Sequence, residues 1–249
     1  MDTAEERSTA GTTTHAQRHQ ARGSLLRATG AIFLKDVRSE LRTRYALNTM
    51  LLFAASTAMA VSLGVGFLGL RRDSEALLVQ ATLLWVALLF AALNGLSRSF
   101  VQEEERRTML ALRLAAPAAA VYLGKLLFNL VLLAVLGSVN TLLFTGFVRV
   151  QVGNVGLFVV LLAAGCVCLA TATTLLAAII ARASFKSGLF AVLAFPLLVP
   201  LLIVVIQSTA LALAGEPWGA GWPALRLLLS YGVATFVASL MLFRFVWEV

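Results

Sequence analysis

Charge is what this chain has least of, and the shortage is concentrated where it is most telling. Asp, Glu, Lys and Arg make up 13% of the 249 residues, against 60% hydrophobic, and the mean hydropathy is +0.90. A soluble domain carries about 25% charged residues, so water is excluded as the solvent for most of this surface. The long apolar runs between Leu47 and Phe243 contain no Asp, Glu or His. A proton-coupled carrier keeps an ionisable relay at membrane depth, and that absence argues against a secondary transporter. It also removes bis-histidine ligation of a haem inside the membrane. Enzyme signatures are missing too: there is no Gly-x-Ser-x-Gly, no His-Glu-x-x-His and no Gly-x-x-x-x-Gly-Lys-Ser/Thr phosphate loop. Any ATP used by this protein is hydrolysed on another chain. The two cysteines, Cys166 and Cys168, point in different directions on a helix, which excludes a disulfide between them and leaves small buried residues as their reading.

Residues 1–23 lack apolar side chains in any periodic pattern and read as a disordered cytoplasmic tail. They contain no hydrophobic core of a cleavable signal, so the first span is expected to act as the insertion signal. His15 and His19 stand at i,i+4 spacing, but with no carboxylate or thiol partner nearby they make no metal site. In residues 24–46, Leu26, Phe33, Val37, Leu41 and Tyr45 recur at helical spacing opposite Arg27, Lys35, Asp36, Arg38, Glu40, Arg42 and Arg44. This pattern predicts an amphipathic helix lying in the membrane interface.

Six apolar runs follow, at about 47–70, 76–97, 126–148, 155–181, 187–214 and 227–246, each near the ~20 residues a bilayer requires. The sequence thus predicts an all-α polytopic membrane protein, with 24–249 as one six-helix domain. Pro196 and Pro200 predict a kink in the fifth run. Trp218 and Trp222 fall in an expected outer loop, 216–223, as part of an interfacial aromatic belt. With the N-terminus inside, cytoplasmic segments carry sixteen Lys and Arg and external ones four, a bias that places both termini in the cytoplasm.

The charge that is present clusters in 98–117. Glu103, Glu104 and Glu105 precede Arg106, Arg107 and Arg113, and burying any one of them centrally would cost about 2.5–3.5 kcal/mol. The stretch is expected in cytoplasmic water, where Met109, Leu110, Leu112 and Leu114 offer apolar contact area to a partner. On the first span, Ala54, Ala58, Ser62 and Gly66 repeat every four residues, a small-residue face suited to close helix packing within the chain or against a second copy. Lys125, Asn129 and Asn140 share one side of the third span, which predicts interhelical hydrogen bonds there, with a polar cavity wall as the alternative.

Two stretches resemble a known family. Lys35–Phe53 is similar to the approach to the first span in the CcmB family, haem exporter permeases of the cytochrome c maturation system within the ABC-2 permease group. Leu96–Leu130 carries Phe100, Glu105, Thr108, Leu110, Ala116-Pro117 and Gly124-Lys125 spaced as in that family's cytoplasmic segment, with Arg107 where a Gly usually precedes the Thr. The resemblance implies a permease subunit driven by a cytoplasmic ATPase subunit, which binds the ATP. It also implies companion C and D subunits and, with two ATPase subunits, a second copy of the permease. Haem is implied as a handled or transported ligand rather than a bound cofactor. Given such a partner, the cytoplasmic placement and mixed charge of 98–117 make it the expected ATPase-coupling segment, with Glu103, Glu104, Glu105, Thr108, Met109, Leu110, Leu112 and Pro117. Two other readings stay open: an ABC-2 permease for a drug or lipid, and a scaffold that transports nothing.

Overall fold

The computed structural model describes residues 25–42, 44–68, 74–96, 116–147, 150–182 and 188–248. Among these residues there are seven helices and no strand. They are α1 (25–42), α2 (Tyr45–Leu68), α3 (Ser74–Leu96), α4 (Ala118–Phe147), α5 (Val155–Arg182), α6 (Gly188–Ala214) and α7 (Trp218–Glu248). The long helices are apolar on every side instead of along one stripe, the pattern of helices with no face turned to water. Among the described residues, four stretches are long and apolar enough to cross a membrane: Ala118–Phe147, Val155–Ala177, Pro196–Ala214 and Trp218–Phe243. The apolar parts of α2 and α3, Leu51–Gly64 and Ser74–Phe90, are shorter.

α5 is the centre of the bundle, packing against α3, α4, α6 and α7. α2 lies at one edge against α3 and α4, while α7 lies at the other against α4, α5 and α6. Small side chains make these approaches: Ala54 and Ala58 on α2, Ala81, Ala87 and Ala92 on α3, and Ala170, Ala172 and Ala177 on α5 are all buried. In lipid the hydrophobic effect does not drive helices together, so close backbone approach and interhelical hydrogen bonds must do it. Trp85 Nε1 donates to Thr209 Oγ1 at 2.8 Å, joining α3 to α6, and the Tyr231 hydroxyl donates to the Leu197 carbonyl at 2.5 Å, joining α7 to α6.

Three boundaries differ from the sequence expectation, each for a local reason. The amphipathic helix does not run to residue 46. Arg44 adopts a left-handed φ of 50° and its N–H donates to the Glu40 carbonyl, which caps α1 and turns the chain into α2. The third span starts earlier than 126, because the Pro117 carbonyl accepts from both Ala120 N and Val121 N and so founds α4 at Ala118. The sixth starts at Trp218 instead of after an outer loop: the Ala220 N–H reaches the Pro217 carbonyl, and Pro223 lies inside the helix. α6 is continuous through Pro196 and Pro200.

At the end of the bundle away from α1, the links α4–α5 and α6–α7 are tied together. Gly153 N donates to the Leu213 carbonyl at 3.2 Å and Asn154 N to the Ala212 carbonyl at 2.9 Å. Asn154 also caps α5, its Oδ1 accepting from Leu157 N at 3.1 Å, while its Nδ2 donates to the Glu216 carbonyl at 2.9 Å. Gly215, with φ 86°, closes α6 in a Schellman motif: its N–H bonds the Ala212 carbonyl and Glu216 N–H the Leu211 carbonyl.

Candidate functional site at the α1 end of the bundle

α1 has three faces. Leu25, Ala28 and Ile32 pack onto a buried cluster formed by Ala120, Val121 and Tyr122 of α4, Ala177 of α5 and Phe243 of α7. At 3.6 residues per turn, the stripe Leu26, Phe33, Val37, Leu41 lies about 120° from this one, and Arg27, Lys35, Arg38 and Arg42 lie about 120° further on. Leu26 and Leu41 are well exposed, at 71% and 58%. The apolar stripe legible in the sequence is thus exposed at its ends and half-buried at Phe33 and Val37, and the face that meets the buried cluster is another.

The contact between α1 and α4 is close because position 124 carries no side chain. A Cβ on Gly124 would lie 2.8 Å from Ile32 Cγ2, 2.9 Å from Ile32 Cβ and 3.0 Å from the Thr29 carbonyl oxygen. The next residue, Lys125, is fully buried and sends Nζ to Asp36 Oδ2 at 3.4 Å. Asp36 is 11% exposed, and its other carboxylate oxygen lies 3.3 Å from the Lys35 ammonium. Removing one member of such a pair costs about 3–5 kcal/mol when the partner stays buried and uncompensated. One turn along α4, Asn129 Nδ2 donates to Thr174 Oγ1 at 2.8 Å, and Thr174 in turn donates to the Ala170 carbonyl at 2.6 Å. Tyr122 packs its ring 5.3 Å from that of Phe243 on α7.

The polar residues of α4 thus bond to neighbouring helices, as their shared side of the helix led one to expect. Lys125 reaches α1, Asn129 reaches α5, and Asn140 Nδ2 donates to the Leu84 carbonyl of α3 at 3.2 Å. The sequence reading placed Asp36 on the charged face of this helix, whereas the structure turns it toward Lys125. The signal was available: Leu25, Ala28, Ile32 and Asp36 recur at i, i+3, i+7 and i+11, an inward stripe ending in a carboxylate.

Of the residues singled out from sequence, Glu103, Glu104, Glu105, Thr108, Met109, Leu110 and Leu112 lie outside the described residues. Pro117 is exposed at the start of α4. Ala54 and Ala58 are covered inside the single chain by its own helices. Ser62 donates from Oγ to the Phe147 carbonyl at 2.8 Å, and the backbone of Gly66 continues α2. A half-open groove of about 350 Å³ runs between α4, α5 and α7, lined by apolar side chains such as Leu126, Leu130, Val167 and Phe236. No group of three or more metal-ligating side chains occurs among the described residues.

An all-helical bundle with four spanning-length apolar helices among the described residues, several of its polar side chains bonded helix to helix, is an integral membrane protein. Residues 27–246 match the family described as CcmB protein. With that match covering nearly its whole length, the chain belongs to the CcmB family, permeases of haem-exporting ABC transporters in cytochrome c biogenesis. No curated protein and no solved structure matches the chain.

Proposed function

We propose that this chain is a six-span permease subunit in the cytoplasmic membrane, without ATPase activity of its own, coupling ATP hydrolysis on a partner chain to haem handling in cytochrome c maturation. α2 and α3, at 24 and 23 residues, supply the first two spans, since about 20 residues suffice. Both termini face the cytoplasm, on the Lys and Arg bias of the connecting segments. The observation that carries the reading is the family match over residues 27–246.

The ATPase docks on 98–117, where Glu103–Glu105 supply charge and Met109, Leu110 and Leu112 supply apolar area immediately before α4. The remaining partners are the companion C and D subunits and a second copy of this chain. Because Ala54 and Ala58 are already covered by α3 and α4, that copy meets a different surface. The groove beside Phe236 is not assigned to haem: the propionates of haem need charged or polar donors, and its lining side chains include none that is charged.

Affinity purification of the chain from solubilised membranes tests the reading. Recovery of an ABC ATPase with a tryptophan-rich haem protein is expected, and reversing Glu103–Glu105 to Lys should weaken ATPase recovery. A complex lacking any ATPase would refute it.

A further inference from the structure

We propose that Gly124, Lys125 and Asp36 form a latch that makes α1 and α4 one mechanical body, and that this body carries the ATP-driven movement. The idea deepens the permease reading and depends on it for the second half only. Each latch residue has a distinct physical task. Gly124 removes the side chain that would collide with Ile32 Cγ2 at 2.8 Å and the Thr29 carbonyl at 3.0 Å, so the two backbones can approach. Lys125, fully buried, has its ammonium opposed by Asp36, whose Oδ2 stands 3.4 Å from Nζ. Ile32, 5% exposed, fills the cluster with Val121, Tyr122 and Phe243. Gly124 and Lys125 thus read as a paired seat, the glycine admitting α1 and the lysine fixing its register one turn beyond Ile32.

The same geometry says where α1 does not hold. Its junction with α2 is the left-handed Arg44, closed by a backbone bond from Arg44 N to the Glu40 carbonyl. α4, in contrast, continues the connection inward by bonding Asn129 to Thr174 of α5. A force on α4 therefore moves α1 and α5 with it, and the turn at Arg44 takes up the displacement relative to α2. Asp36 and Lys125 act as positioning residues: they keep α1 from sliding when α4 moves.

The test uses the full chain in its native membrane complex with a thiol placed at position 32 (Ile32→Cys). Cys166 and Cys168 are buried, so background labelling by a membrane-impermeant maleimide on inverted vesicles is low. Asp36→Asn and Lys125→Met should each raise the labelling rate at position 32 at least tenfold, and each should lower cytochrome c matured per ATP hydrolysed. The exchanged pair, Asp36→Lys with Lys125→Asp, should restore both. Gly124→Val should unlatch α1 with the ion pair left intact in sequence. Labelling that stays at the parent rate in all single variants would overturn the latch. Faster labelling with unchanged yield per ATP would overturn its role in coupling and leave a purely structural contact. If the parent chain recovers no ATPase, the permease reading falls, while the labelling result still decides the latch.

Discussion

Substituting Gly165 by Ala puts the sharpest demand on the bundle's centre. The residue lies on α5 against Trp85 of α3 and Val205 of α6, all three buried. A methyl group there would meet Trp85 Cη2 head on, with Cζ2 at 2.9 Å and Val205 Cγ1 at 3.0 Å. The indole cannot simply step aside, because Nε1 is committed to Thr209 Oγ1 at 2.8 Å. Overpacking of this kind costs about 1–3 kcal/mol, and stretching the indole bond adds about 1 kcal/mol. A gain in helix propensity of about 0.5–1 kcal/mol offsets part of this, leaving a net cost of about 1–3.5 kcal/mol. At about 2–4 °C per kcal/mol for a chain of this length, the unfolding midpoint should fall by at least roughly 2 °C.

Thermal unfolding in lipid nanodiscs reads this directly, with Gly146→Ala as the matched control. A Cβ at Gly146 meets nothing within 4 Å, so the same change there gains helix propensity of about 0.5–1 kcal/mol without a clash. A double-mutant cycle with Trp85→Phe isolates the contact, since the smaller ring removes the two colliding atoms. Gly165→Ala should cost less in the Trp85→Phe background, with a coupling of about 0.5–3 kcal/mol. Equal midpoints for Gly165→Ala and Gly146→Ala would refute this packing of Trp85, and strict additivity in the cycle would do the same.

Arg44→Gly should stabilise the chain by about 1 kcal/mol, because a left-handed residue with a side chain carries a penalty of about 1–2 kcal/mol that glycine escapes; a lower unfolding midpoint in nanodiscs would contradict the turn. Gly153→Ala should destabilise by about 1–3 kcal/mol, as its Cβ would sit 2.5 Å from Gly215 Cα and disturb the bonds to Ala212 and Leu213. Limited proteolysis between α6 and α7 checks this: cleavage near Glu216 should quicken in the variant, and an unchanged rate would show that the two links are not held together.

What the sequence made legible follows from what lipid demands. A chain of 249 residues has too little polar surface to bury six runs that are apolar on every side, so the all-helical membrane class and the rough positions of the spans could be read directly. Asn129 and Asn140 were readable for the same reason, since a buried amide in hydrocarbon must find a partner. Their partners, Thr174 and the Leu84 carbonyl, were not, because all-round hydrophobicity hides which face meets which neighbour. α1 shows the limit from the other direction. Its most regular stripe, Leu26 to Leu41, is exposed at both ends and half-buried between them, while the stripe that docks contains only Leu25, Ala28 and Ile32 and then an aspartate. A pattern of period 3.6 identifies a helix with an apolar face, but a helix at an interface can have two, and only the bundle decides between them. Trp218 was misplaced into a loop because the Gly and Pro residues around it are turn signals in water, yet α7 begins there and runs through Pro223.

The distribution of cross-helix bonds separates two kinds of centre. α5 is the centre of packing, but α4 is the centre of polar attachment among the described residues. From α4 or to it run Lys125 to Asp36 on α1, Ser62 of α2 to the Phe147 carbonyl, Asn140 to the Leu84 carbonyl on α3, and Asn129 to Thr174 on α5. Dispersion contacts between apolar faces permit sliding at little cost per contact, whereas a hydrogen bond in hydrocarbon must be kept or exchanged. Among the described residues α4 therefore has polar ties to more neighbouring helices than α5 has. The charged stretch 98–117 ends at Pro117, whose carbonyl takes the first bonds of α4. If an ATPase pushes on that stretch, as proposed, the push arrives at a helix with polar ties to α1, α2, α3 and α5. α7 meets α4 directly through Tyr122 on Phe243, while polar ties reach α6 and α7 from α3 and α5, through Trp85 to Thr209 and through the Cys168 thiol, which donates to the Leu228 carbonyl at 3.2 Å.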